Sequence, residues 1–189
     1  MSIEISAAIV GGAIAVVGAL AGATVPLIWA LRYDRHRNSV AIHEQYLSWL
    51  RALKPECEHI VSCIDEIQPL YQSMLAGTSF VCPTKRLNSD FLASARLGIM
   101  NHARSSVLFP PLTKAYRDVV NMDDMMDRFE SAFPEAVCSG KPKEKLSGIV
   151  GPTIASLSGV RASVTNLLNH VLEQQQLESD NKPKLFCCF

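Results

Sequence analysis

The chain has 189 residues, with 18 Lys plus Arg balanced against 18 Asp plus Glu, which excludes the strong basic bias of a general nucleic-acid binder. Its six cysteines, at 57, 63, 82, 138, 187 and 188, include no C-x2-C pair, so a zinc knuckle is excluded and scattered reduced thiols are expected. About 150 residues follow an apolar N-terminal run, enough for one domain with its own core.

Residues 5–31 carry no charged side chain, and Arg32, Tyr33, Asp34, Arg35, His36 and Arg37 follow at once. A helix of that length is about 40 Å long, and the hydrocarbon core of a bilayer requires roughly 20 residues. The run is too long for a cleaved secretory signal, and its N-terminal side is too poor in basic residues. It is expected to be an uncleaved single-pass transmembrane helix. Arg32, Arg35 and Arg37 lie after it and no Lys or Arg precedes it. The orientation rule then sets the N-terminus outside and the remainder in the cytoplasm. Trp29, Arg32, Tyr33, Arg35 and Arg37 are the expected membrane-interface residues.

Within the run, Gly11, Ala15, Gly18 and Gly22 recur at spacings of four, three and four, which is one face of a helix. Small residues let helix backbones approach closely, and packing then drives association in lipid. These four are the expected oligomerisation face of a homo-oligomer. Pro26 is expected to kink the helix near its cytoplasmic end. The absence of ionisable residues inside the run argues against a proton relay or an ion-coupled transporter.

The remainder reads as helical. Val40, Leu47, Leu50 and Leu53 mark a first inner face, with Tyr46 and Trp49 beside it, which Pro55 is expected to bend or interrupt. Ile60, Ile64, Ile67, Tyr71 and Leu75 form an amphipathic stripe, and 77–85 a turn region. Phe91, Leu92, Ala95, Ile99, Ala103 and Val107 form the next stripe, ended by Pro110 and Pro111. Leu112, Ala115, Val119, Met122, Met126, Phe129 and Phe133 form another, followed by a solvated loop over 134–145. Ile154, Leu157, Val160, Val164, Leu167, Leu168 and Val171 define a last helix reaching about Ser179. No stretch sustains period-two alternation.

The expected fold class is all-α: one N-terminal transmembrane helix followed by a cytoplasmic four- or five-helix bundle. The expected regions are an anchor with its basic flank over 1–37, a bundle over 38–178 and a flexible tail over 179–189. In the tail, Lys182 and Lys184 precede Phe186, Cys187, Cys188 and Phe189, a cluster open to three readings: membrane-surface contact, acylation or a docked terminus.

No P-loop or dinucleotide glycine pattern, metal cluster or nucleophile constellation is present, so no cofactor is expected. His59 and Cys63 stand one helical turn apart, a spacing more often packing than metal ligation. Two Arg-x5-His pairs occur, Arg37 with His43 and Arg96 with His102. They resemble the motif of the HEPN family of helical ribonucleases, in which two protomers bring their motifs together. That resemblance implies attack of a ribose 2′-OH on the adjacent phosphate, with His as acid or base and Arg holding phosphoryl charge. Arg37 has a second explanation as a positive-inside anchor residue. Leu97 stands where that family often carries a polar residue.

The layout of one span followed by a small helical domain also resembles the membrane-pore accessory proteins of type VI CRISPR systems. That resemblance implies an inner-membrane ring that aids antiviral defence. The span lacks a polar lining, so a pore would gate by dewetting. The leading expectation is a self-associating inner-membrane protein of pore-forming or membrane-perturbing type. A membrane-tethered helical binding module and a HEPN-like ribonuclease are the alternatives. Expected partners are the bilayer, further copies of the chain and a cytoplasmic protein; nucleic acid is left open.

Overall fold

In the computed structural model, the backbone is described for residues 2–100 and 105–180, and side chains for Gly22, Thr24, 26–100 and 106–179. Four α-helices, and no strand, lie among the described residues: α1 (Ser2–Ala76), α2 (Asp90–Ile99), α3 (Ser105–Cys138) and α4 (Pro142–Asp180). The chain is all-α. It divides into two compact units, Met1–Glu44 and Gln45–Phe189.

The second unit is a helical bundle whose core follows one rule. On α1 the buried residues Tyr46, Leu50, Leu53, Cys57, Ile60, Ile64, Ile67, Tyr71 and Met74 alternate in steps of four and three. On α3 the same alternation runs through Leu108, Leu112, Ala115, Val119, Met122, Met126 and Phe129. On α4 it runs from Leu146 through Val150, Thr153, Leu157, Val160, Val164, Leu167 and Val171 to Gln174 and Glu178. A strict seven-residue repeat keeps a seam facing its partners only if the helices wind gently about one another. Three long helices therefore share one seam, and Leu92, Ala95 and Ile99 of the short α2 join it.

Cross-contacts fix the directions. Lys143 Nζ donates to the Ala76 carbonyl at 3.3 Å, Arg161 pairs with Asp65 at 3.1 Å, and Gln175 Nε2 donates to the Leu50 carbonyl at 2.8 Å. Thus α4 runs antiparallel to the second-unit part of α1. The Tyr71 and Phe129 rings meet edge-on at 4.9 Å, and α3 turns back tightly into α4.

The prolines act differently from expectation. Pro55 does not interrupt α1. Pro110 and Pro111 lie inside α3 rather than ending the preceding helix, and Pro134 lies inside it as well. The stripe expected to run from Phe91 to Val107 is instead divided, because α2 ends at Ile99 and α3 starts at Ser105. The physical reason is placement. Pro55, Pro110 and Pro134 are exposed, as are Arg51, Ser106 and Glu130 four residues before them, so each carbonyl left without its N–H partner faces water. The solvated loop expected over 134–145 shrinks to a turn. Gly140, at φ +71°, ends α3, and Pro142 opens α4 at the first helical position, where its missing N–H costs nothing.

Among the described residues no helix is long and apolar enough to cross a membrane. Most side chains of the 5–31 run lie outside them. The expected transmembrane helix is therefore without support in the fold.

Candidate functional site

Unit 1 holds the expected interface residues. Residues 26–35 of α1 are exposed without exception. Leu27 is 63%, Trp29 71% and Tyr33 67% exposed, with Ile28 and Leu31 above half. About 1.7 turns of helix separate Leu27 from Tyr33, so these groups point to all sides and not along one stripe. Arg32, Arg35 and Arg37 interleave with and follow them, equally exposed. Exposed apolar and basic side chains are thus close neighbours on this stretch of α1. A Cβ added to Gly22 would meet nothing within 4 Å, so this end of the small-residue face is open. The surroundings of Gly11, Ala15 and Gly18 lie outside the described residues.

The two Arg-x5-His pairs have separate fates. Arg37 is exposed and His43 half-buried on α1. Six residues of helix set them about 9 Å apart along the axis and about 120° apart around it. The Arg96 guanidinium lies 4.6 Å from the centre of the Tyr116 ring, a cation–π contact that joins α2 to α3. His102 lies outside the described residues, and so do Lys182, Lys184, Phe186, Cys187, Cys188 and Phe189 of the tail.

The Cys63 sulfur and His59 Nε2 are 3.6 Å apart within one turn of α1. Among the described residues no group of three His, Cys, Asp or Glu side chains could hold a metal ion. Cys57, Cys63, Cys82 and Cys138 are free thiols. Burial pushes the Cys57 thiol up to about 12, with Glu56 and Glu58 adding to the effect, which keeps it an inert core group.

Two polar arrangements come from the tertiary fold. One closes the end of the bundle where unit 2 begins: Tyr46 Oη donates to Gln174 Oε1 at 3.4 Å beside the Gln175 bond to the Leu50 carbonyl. Gln174 and Glu178 occupy seam positions there, which continuing the seven-residue count along α4 would have found. The other fastens the segment between α1 and α2. Lys85 pairs with Glu66 of α1, while Arg86 pairs with Asp127 at 2.8 Å and also with Glu130, both on α3. These partners are 19 to 44 residues apart, and no local spacing announces them. Comparison of the chain with family models, curated proteins and solved structures gives no match.

Proposed function

We propose that the chain is a membrane-anchored helical module that self-associates through its N-terminal helix. The observation that carries this is the exposure of Leu27, Ile28, Trp29, Leu31 and Tyr33 on all sides of α1, next to the equally exposed Arg32, Arg35 and Arg37. Leaving one large apolar side chain in water costs about 1.5–3 kcal/mol relative to burying it. Lipid covers every side of such a helix at once, whereas a single protein groove covers one. The charge-free run over 5–31 has the length of a span, and the basic flank after it supports a reading with unit 2 on the cytoplasmic side of an inner membrane.

Self-association belongs to the stripe Gly11, Ala15, Gly18 and Gly22. The seams of α1, α3 and α4 are filled within one chain, so the bundle has no need of a second copy to complete its core. The test is the particle mass of the full-length protein in mild detergent, by native mass spectrometry. An oligomer that falls to monomer on Gly18→Leu with Gly22→Leu is the expected result; an unchanged mass rejects the stripe, and a monomeric parent protein rejects self-association. A closed ring of six or more copies fits the pore-forming, antiviral resemblance, and a dimer fits a tethered module that recruits a cytoplasmic partner. Ribonuclease activity requires loss of RNA cleavage on His102→Ala.

A further inference from the structure

We propose that Arg32 and Arg35, with Ile28 and Leu31 before them on the same face of α1, bind one anionic phospholipid, its phosphate on the two guanidinium groups and its acyl chain along the two apolar side chains. This rests on the membrane anchoring proposed above and adds the class of lipid. The four residues stand at positions i, i+3, i+4 and i+7, which lie within about 100° of one another around a helix. Together they line an open groove of about 170 Å³, built from side chains of this one helix.

The groove changes character along its length. Ile28 and Leu31 are 50% and 53% exposed, and Arg32 and Arg35 are exposed as well. From Ile28 to Arg35 the helix axis advances about 10 Å. Side chains on a helix lean toward its N-terminus, so the stems of both arginines leave the backbone toward the apolar end. A groove that passes from apolar to cationic over that length fits a molecule with a hydrocarbon chain at one end and an anion at the other.

The positive charge of the groove is uncompensated. Among the described residues neither Arg32 nor Arg35 has an acidic partner, whereas Arg86 and Arg161 of unit 2 both do. Asp34, the nearest acid in sequence, points about 100° away from Arg35 and about 160° away from Arg32 around the axis. Two like charges three residues apart on a helix repel, and an anion between them removes that repulsion. A guanidinium donates in a fork that fits two phosphate oxygens, and a phosphodiester offers such a pair with one negative charge. A headgroup that also carries a cation, as in phosphatidylcholine, brings a further positive charge to the same place. The lipid favoured is therefore one of net negative charge, of the phosphatidylglycerol kind.

The experiment uses the full-length protein in vesicles of phosphatidylcholine and phosphatidylglycerol in equal amounts. After an alkaline carbonate wash the protein is extracted in mild detergent, and the lipid that stays with each chain is identified and counted by native mass spectrometry. Retained phosphatidylglycerol is expected to exceed phosphatidylcholine about tenfold, and the excess to fall to about threefold or less on Arg35→Gln combined with Val40→Arg. Val40 is exposed and lies about 140° from Arg35 around the helix, so this variant keeps the charge of the flank and takes it off the groove. A preference that stays near tenfold after the relocation belongs to the basic flank as a whole and overturns the site. Equal retention of the two lipids by the parent protein overturns it too, while the anchoring stands. Protein that leaves the vesicles in the carbonate wash rejects the anchoring, and the lipid site with it.

Discussion

At the scale of single residues, Gly98 shows how close contact is written into the bundle. A Cβ added there would stand 2.2 Å from Trp49 Nε1 and 2.3 Å from its Cε2. The indole also packs against Phe91, with ring centres 5.8 Å apart. Ala is the better helix former by about 1 kcal/mol, yet overpacking costs about 1–3 kcal/mol. Gly98→Ala is therefore expected to lower stability by up to about 2 kcal/mol, read as a lower urea midpoint at unchanged slope. Adding Trp49→Leu is expected to recover part of the loss, because the smaller side chain vacates the clash; a double variant no better than Gly98→Ala rejects it. The same glycine reads as an ordinary helix-weakening residue in the sequence, since only the partner 49 residues earlier gives it meaning.

At the scale of elements, the helix ends carry the information that the prolines obscure. Gly77, at φ +79°, ends α1 with its N–H on the Met74 carbonyl at 3.0 Å, while the Thr78 N–H reaches the Ser73 carbonyl at 2.9 Å. That pair of bonds satisfies two carbonyls of the last turn and requires the left-handed conformation that glycine adopts without penalty. An alanine there is strained by backbone and also meets Lys143 Cδ at 3.0 Å. Gly77→Ala is expected to cost about 1 kcal/mol by chemical denaturation; a neutral result rejects the strained cap. The inner faces were legible in the sequence: Ile60, Ile64, Ile67 and Tyr71 on α1, Leu112 to Phe129 on α3 and Leu157 to Val171 on α4 are core residues, because apolar spacing of three and four survives folding. Leu75 is exposed and Met74 takes its place, as the seven-residue count requires. The boundaries were not legible, because a proline marks a helix start, an exposed interior position or a break according to which side faces water. The basic flank was legible because it is contiguous. The Arg86 pairs with Asp127 and Glu130 were not, because they meet only after the segment between α1 and α2 folds back.

At the scale of the whole molecule, the division at Glu44 and Gln45 separates a helix whose residues 26–42 are exposed from a bundle with a filled core. Under the proposed anchoring, trypsin is expected to cut after Arg35 or Arg37, both exposed, and to release a fragment from near Asn38 onward. That fragment is expected to leave the membrane fraction and keep its helical circular dichroism with one cooperative transition. A fragment that sediments with the membranes, or melts without cooperativity, rejects separable units. The polar end of the bundle has a mechanical meaning. The Tyr46–Gln174 and Gln175–Leu50 bonds mark the end where α1 joins unit 2, and α4 runs on from Gln174 toward the C-terminus. A pull between the N-terminal helix and the C-terminus therefore loads that end first and peels α4 from α1 one seam layer at a time. Layers opened in turn resist far less than layers sheared together, so a modest tug on the C-terminal end of α4 unzips the bundle from the Tyr46–Gln174 pair onward.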